Sequence, residues 1–175
     1  MPFEFRTCEF EMDYEAYMRF LLEHNSELNL PYKFNMKLSF MASPLFLGKT
    51  MLVFSEEPYE IVGAAGYVYG TGANGHEDRH VCQVEVAFLR DDYRRTRLFA
   101  QSLRELVELI RRDNPEVDTF QFWIPAADAS LQRLVAKLGA LPGATLSLVN
   151  EMSLCKVPFN ELESYSRRIH TARSS

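Results

Sequence analysis

Three arginines, Arg94, Arg95 and Arg97, lie together at the start of a long predicted helix. The first turn of a helix carries unpaired backbone N–H groups and the positive end of the helix dipole, so it stabilises anions and disfavours cations. Three cations at that end indicate that an anion such as a phosphate group binds there. The alternative is a solvated basic cluster on the surface, and the residues alone leave it open.

Other reactive residue types form no complete site in the sequence. The segment 76–80 (HEDRH) contains two histidines and two acids, but their spacing matches no metal signature, so a surface loop is the better interpretation. Cys8, Cys82 and Cys155 are odd in number and far apart, which fits neither a metal site nor a set of disulfides. We therefore predict no metal ion, and reduced thiols in a cytoplasmic protein.

Composition and charge narrow the class of protein. The chain has 175 residues, 47% of them hydrophobic and 25% charged, which is typical of one globular domain. A formal charge of −5 argues against a general electrostatic grip on nucleic acid. The first residues show no apolar signal-peptide core, and no apolar run approaches the ~18 residues of a membrane span. We expect neither nucleic acid nor a membrane as a partner.

Hydrophobic periodicity predicts a mixed sheet with helices in the crossovers. Val84, Val86 and Phe88 are expected on one face of strand 81–89, with Gln83, Glu85, Ala87 and Leu89 on the other. Phe99 begins the apolar stripe of helix 96–112, which continues through Leu103 and Leu106. A crossover over 81–124 predicts one parallel strand pair. The predicted strands are 3–9, 50–54, 60–69, 81–89, 118–124 and within 144–157; the predicted helices are 13–25 capped by Asp13, a short one within 26–50, 96–112, and one that starts at Asp128 or Ser130 and stops at Gly139.

Residues 84–110 (VEVAFLRDDYRRTRLFAQSLRELVELI) and 120–140 (FQFWIPAADASLQRLVAKLGA) resemble the GNAT N-acetyltransferase superfamily. The resemblance covers roughly residues 3–157. It implies an α/β (α+β) single domain, in which a central, mixed but mostly antiparallel, twisted sheet of about six to seven strands is flanked by helices. The domain is expected over 1–157, followed by a polar tail over 158–175 that shows no core face.

The resemblance also implies an activity, an acetyl-CoA-dependent N-acetyltransferase with acetyl-CoA as co-substrate. A small-molecule or peptide amine would attack the thioester directly in a ternary complex. The competing class is a catalytically inactive protein of the same fold that binds a ligand or partner. Whether the chain forms a homodimer is left open.

The family's pyrophosphate motif, Arg/Gln-x-x-Gly-x-Gly/Ala, matches the segment 94–99, where Arg97 and Phe99 occupy the two glycine positions. Arg97 could supply a charged fork to phosphate, and Phe99 could instead be a core residue. Asp128 replaces a family Asn, and Val135 stands where many members have the Tyr that acts as general acid. The cofactor-binding residues implied are Val86, Ala87, Phe88, Leu89, Arg94, Arg95, Thr96, Arg97, Leu98, Phe99 and Asp128.

Glu85 is the candidate catalytic residue by its position in the strand that this resemblance places along the pantetheine. An amine substrate arrives mostly protonated and must lose a proton before it attacks, so a base is needed. A carboxylate that faces solvent or pairs with an arginine is the alternative for Glu85. Trp123 would line the cleft or pack in the core.

Overall fold

The computed structural model describes residues 2–28, 30–94 and 97–174. The strands in these residues form one seven-stranded sheet. The strands are β1 (Phe3–Thr7), β2 (Gly48–Glu56), β3 (Tyr59–Tyr69), β4 (Val81–Leu89), β5 (Thr119–Pro125), β6 (Thr145–Val149) and β7 (Met152–Pro158). The α-helices are α1 (Glu11–Glu23), α2 (Phe34–Leu47), α3 (Arg97–Asp113), α4 (Ala129–Gly139) and α5 (Phe159–Ser174).

The strand order is β1-β2-β3-β4-β5-β7-β6. Every neighbouring pair is antiparallel except β4 and β5, which are parallel and joined through α3. The predicted α/β class, the mixed and mostly antiparallel sheet and the parallel pair are thereby confirmed, and the strand number is the upper of the two expected.

Helices cover the two faces of the sheet unequally. On one face α3, α4 and α5 pack against a cluster that includes Cys82, Leu98, Ile110, Phe120 and Phe159. On the other face α1 and α2 pack on β2, β3 and β4 over a second cluster, which contains Tyr17, Leu21, Met41, Leu52 and Phe88. None of the described helices combines the length and the hydropathy that a membrane span requires.

Asp13 does not cap α1, contrary to the prediction from sequence. The helix begins two residues earlier, at Glu11, so Asp13 lies within its first turn. Its carboxylate accepts the backbone N–H groups of Glu9 (3.1 Å) and Phe10 (3.2 Å). These bonds, the one from Glu9 above all, lower the pKa of Asp13 despite its burial, helped by the nearby charge of Arg6.

The prediction of a polar tail without a core face is wrong for the C-terminal residues. Phe159–Ser174 forms α5, which packs on α3, and Phe159 and Leu162 are completely buried. Ser166 is also buried, and its hydroxyl donates to the backbone oxygen of Glu163 at 2.9 Å. A narrow stripe of few apolar residues is enough here, because α3 and the sheet provide the rest of the core.

Candidate functional site

The parallel strands β4 and β5 separate after a short pairing. Their register runs from Val81 opposite Thr119 to Val84 opposite Phe122 and ends there, although both strands continue. Beyond this point the segment 86–89 pairs with β3 but has no partner residue on β5. The structure thus gives these four residues the open backbone edge that their predicted binding role requires, and the role itself stays a prediction.

Glu85 forms a β-bulge at the place where the strands separate. In the pairing of β3 with β4, Gly66 lies opposite Val86 and Tyr67 lies opposite Val84, so Glu85 has no partner residue. A bulge inserts one residue and reverses which side chains face which side. Val84 packs on the α3 side while Val86 packs on the α1 side.

The predicted common face of Val84, Val86 and Phe88 is therefore wrong. Strict alternation holds only while every residue of a strand is paired, and the unpaired Glu85 changes the phase. Val86 and Phe88 belong to the cluster under α1 and α2, and Leu89 packs against the other cluster together with Val84. Sequence periodicity carried no signal of this bulge.

Two glutamines connect Glu85 to the neighbouring strand. The side-chain amide of Gln83 donates to Glu85 Oε1 at 3.4 Å, and the amide of Gln121 donates to Gln83 Oε1 at 2.7 Å. Gln121 is buried and lies directly opposite Gln83 in the register. Partial burial raises the pKa of Glu85, and the bond from Gln83 and the charge of His76 oppose that rise only in part. Sequence reasoning missed both glutamines, whose signal was a polar side chain midway along each of two otherwise apolar strands.

Helices α1 and α2 pack tightly on β3 beside Glu85. A Cβ at Gly66 would lie 2.5 Å from Tyr17 Oη and 2.8 Å from Pro44 Cγ, so only glycine lets α1 and α2 approach β3 this closely. Tyr17 is completely buried, and its hydroxyl has no hydrogen-bond partner among the residues described. Burial raises the pKa of Tyr17, and the negative charge of Glu85 raises it further.

Arg94 lies at the end of β4 with its guanidinium already engaged. Its Nε donates to the backbone oxygen of Leu89 at 2.7 Å, and Nη1 pairs with Asp91 at 2.9 Å. The group also lies over the ring of Phe88, 5.0 Å from its centroid. Arg94 thus covers one carbonyl of the predicted pantetheine edge. Arg95 and Thr96, predicted to bind the cofactor, lie outside the described residues.

The N-terminus of α3 begins at Arg97, which is exposed and forms no ion pair within the described part of the chain. Leu98 and Ala100 turn into the core, whereas Phe99 is half-buried. The apolar stripe of α3 therefore starts at Leu98, one residue before its predicted start. Arg97 and Phe99 occupy the predicted glycine positions without entering the core.

Asp128 directly precedes α4, and Trp123 lies in β5 just beyond its pairing with β4. The Asp128 carboxylate accepts the backbone N–H of Leu131 at 3.3 Å, which confirms it as the cap of α4. Val135 is buried, and its aliphatic side chain has no proton to donate in place of the missing acid. Trp123 follows the last parallel pair and remains 36% exposed, opposite Leu154 of β7.

The histidine-containing loop is closed by hydrogen bonds to Asp78. Asp78 accepts the backbone N–H of Thr71 at 2.7 Å and its hydroxyl at 2.8 Å, which closes the loop. Over residues 2–28, 30–94 and 97–174, no group of three or more His, Cys, Asp and Glu side chains is arranged to hold a metal ion.

No protein-family model and no curated protein sequence matches this chain. Solved structures do match it. An acetyltransferase of the GNAT family from Staphylococcus aureus has 14% sequence identity and a TM-score of 0.60, over 89% of this chain and 99% of that one.

Two further matches have more specific names. A ribosomal-protein-alanine N-acetyltransferase from Brucella melitensis has 17% identity and a TM-score of 0.59, over 89% of this chain and 99% of its own. The ribosomal-protein-S18-alanine N-acetyltransferase from Escherichia coli has 13% identity and a TM-score of 0.59, over 90% of this chain and 94% of its own. At these identities the likeness concerns the fold, and the chain has the fold of the GNAT acetyltransferases.

Proposed function

We propose that this protein is an N-acetyltransferase that moves an acetyl group from acetyl-CoA to an amine by direct attack in a ternary complex. The observation that carries the proposal is one juxtaposition. The strands β4 and β5 separate beside the half-buried carboxylate of Glu85, and α3 is the next α-helix after β4, beginning at Arg97. Solved structures with the same fold are acetyltransferases by name, which supports the proposal.

Acetyl-CoA fits the residues at this site in two respects. The open edge of 86–89 offers backbone groups to the pantetheine amides, as a neighbouring strand would. The N-terminus of α3 offers the positive end of the helix dipole to the pyrophosphate, and the exposed guanidinium of Arg97 can bind phosphate in a bidentate way. Because side chains occupy the two glycine positions, the phosphate would be bound more by the guanidinium of Arg97 and less by the backbone.

Glu85 would act as the base. Its raised pKa lies closer to neutrality than that of an exposed carboxylate, which favours removal of a proton from an ammonium group. Within 86–88, the N–H of Ala87 would polarise the thioester carbonyl as the amine attacks, because the alternation of the antiparallel ladder directs it away from β3. With Val135 in the place of the family's acid, the departing thiolate would take its proton from water.

The acceptor amine would approach from the face of β5 and β7 that α1 and α2 leave uncovered. Trp123 lies on that face, beside the separation of the strands. Two of the structural neighbours act on ribosomal-protein alanine by name, so peptide amines belong in the acceptor screen with small amines. The three buried, unpaired cysteines support the proposal of a reducing, cytoplasmic location.

Calorimetric titration with acetyl-CoA, and with CoA for comparison, tests the substrate directly. We expect micromolar binding of both. Arg97→Ala should weaken it by about tenfold or more, because a charge-assisted bond to phosphate is lost. Arg104→Ala is the matched control, since Arg104 lies on the same helix and pairs with Glu108. Absence of binding by the folded wild-type protein would contradict the proposal.

A second candidate, a non-catalytic binding protein, is favoured by one observation. Arg94 occupies the Leu89 carbonyl, and side chains replace both family glycines. Phe99→Gly distinguishes the two functions, because a side chain that obstructs the site is removed without opening the core. A large gain in CoA affinity would indicate that the wild-type site is closed, whereas unchanged micromolar affinity supports the enzyme.

A further inference from the structure

A chain of two amide side chains leads from β5 to the carboxylate of Glu85. Gln121 Nε2 donates to Gln83 Oε1 at 2.7 Å, and Gln83 Nε2 donates to Glu85 Oε1 at 3.4 Å. The bond between the two amides is short, whereas the bond to the carboxylate is long. The amide that reaches Glu85 is therefore held in position mainly from the side of β5.

The backbone ladder holds both glutamines in place. Gln83 and Gln121 lie opposite each other one pair before the end of the parallel register, which closes with Val84 opposite Phe122. On its other side Gln121 lies opposite the exposed Lys156 of β7. Gln121 is only 5% exposed, and a buried amide needs hydrogen bonds to offset its lost hydration. The two amides therefore meet where the strands are still paired, directly before they separate.

We propose that Gln121 is a positioning residue for Glu85, because its bond to Gln83 turns the donor end of the Gln83 amide toward the carboxylate. An amide has a donor end and an acceptor end, whereas an ionised carboxylate only accepts. With Gln83 Oε1 occupied by Gln121, the N–H end is left for Glu85, and it favours the ionised form that can take a proton. Without Gln121, the amide of Gln83 can reverse, and its oxygen would then repel that form.

The titratable groups that face Glu85 in the described chain come from α1 and from the loop before β4. Burial, above all, raises the pKa of Tyr17 on α1, so its hydroxyl stays neutral while Glu85 titrates. The charge of His76, in the loop, favours the ionised carboxylate. Burial is the largest influence on the pKa of Glu85 and raises it, and the bond from Gln83 opposes that rise more than His76 does. The orientation of Gln83 is thus the strongest influence that favours the charge of Glu85.

The role of Gln121 rests on the proposed function, in which Glu85 is the base, but its first test needs no acetyl transfer. NMR titration of the Glu85 carboxyl carbon, assigned by its loss in Glu85→Gln, measures the proton affinity directly. Gln121→Met keeps the length of the side chain and removes the donor. It should raise the proton affinity of Glu85 by roughly three- to tenfold, because the ionised form loses a hydrogen bond.

Gln132→Met is the matched control for this titration. The Gln132 amide donates to the backbone oxygen of Ala126 at 3.1 Å and takes no part in the chain of amides, so the proton affinity of Glu85 should not change. An unchanged Glu85 titration in Gln121→Met, or an equal shift in Gln132→Met, would overturn the proposal.

A double-mutant cycle separates positioning from a merely structural role. If Gln121 acts through Gln83, then Gln83→Met should raise the proton affinity of Glu85 at least as much as Gln121→Met does. In the Gln83→Met background, Gln121→Met should add nothing. Additive effects would overturn the proposal. If Gln121→Met does not fold, Gln121→Asn replaces it, because its amide is one methylene too short to reach Gln83.

The pH profile of acetyl transfer completes the test. For Gln121→Met, the acid limb of kcat/KM should move to higher pH, and the rate should recover once Glu85 is fully ionised. A loss of the same size at every pH would overturn the positioning role, because a structural defect would not follow the titration of Glu85. A shifted titration in a protein whose wild type transfers no acetyl group would contradict the proposed function and still confirm that Gln121 acts on Glu85.

Discussion

The two halves of the sheet differ in how they are covered. In the half formed by β1 to β4, helices lie on both faces, and the segments 50–55 and 62–69 are buried without interruption. In the half formed by β5, β7 and β6, helices cover one face only. The other face carries exposed Trp123 and Lys156 and half-buried Leu154.

The boundary between these halves is where the candidate site lies. Glu85 is half-buried at this boundary, where β4 leaves β5. A carboxylate in that position keeps access to a substrate while burial raises its pKa. The covered half thus supplies rigidity, and the open half supplies access.

The largest expected difference between the halves is in core stability. Leu52→Ala, in the covered half, should cost about 2–5 kcal/mol, since a completely buried side chain leaves a cavity. Leu154→Ala, on the open face, should cost about 1 kcal/mol or less, because water fills the space. Chemical denaturation of both variants measures the difference. Equal losses would show that the open face is covered in solution.

The packing of α1 and α2 on β3 predicts a smaller loss. Gly66→Ala should destabilise the protein by about 1–3 kcal/mol, because the new methyl group overlaps Tyr17 Oη and Pro44. Gly139→Ala is the control: nothing lies within 4 Å of its Cβ, and alanine favours the helix. Thermal unfolding of both variants gives the comparison. A neutral Gly66→Ala would mean that the two helices move apart easily.

Glu85 should reduce stability at neutral pH. Its folded pKa lies above the ordinary value of 4.5, so the native state binds more protons than the unfolded state above that pH, and stability falls as the pH rises through the folded pKa. Glu85→Gln should therefore be more stable than wild type at pH 7 and no more stable below about pH 4.5. Denaturant titrations across pH measure this difference.

The same variant tests the proposed base. Glu85→Gln should lose most acetyl transfer at neutral pH, and an unchanged rate across pH would remove Glu85 as the base. Glu108→Gln is the control for charge alone, because Glu108 is an exposed partner of Arg104 on α3. Glu108→Gln should leave both the stability of the protein and the rate of acetyl transfer unchanged.

The smallest expected effect is spectroscopic. Trp123, the single tryptophan, is partly exposed directly after the last parallel pair. Acetyl-CoA bound between β4 and β5 should change the fluorescence emission of Trp123. It should stabilise the folded protein only by its own binding free energy. Titration with excitation at the red edge of tryptophan absorption, against free tryptophan as control, detects it. A silent titration alongside calorimetric binding would place the ligand elsewhere.

Much of the fold could be predicted because it depends on local pattern. The bounds of β4 were predicted to the residue, and the crossover through α3 was identified from one strong amphipathic helix between two apolar strands. The fold class also followed from the resemblance, which the structural neighbours support.

The parts that failed depend on contacts between elements. The bulge at Glu85 arises from its pairing with β3, and no pattern within β4 reveals it. Helix α5 was missed because its large apolar residues, Phe159, Leu162, Tyr165 and Ile169, stand singly among polar residues. The sequence predicted which residues belong to the candidate site. It did not predict that Arg94 donates a hydrogen bond to the backbone oxygen of Leu89, because that contact depends on the folded structure.

The bulge has a consequence for how this strand can evolve. Cys82 and Val84, before Glu85, share one core with α3, and Val86 and Phe88, after it, share another with α1 and α2. Positions 82 and 84 should therefore co-vary with one set of helices across homologues, and positions 86 and 88 with the other. Deletion of the bulged residue would turn the side chains that follow it to the opposite face of the sheet. Homologues that keep helices on both faces should therefore also keep the length of this strand.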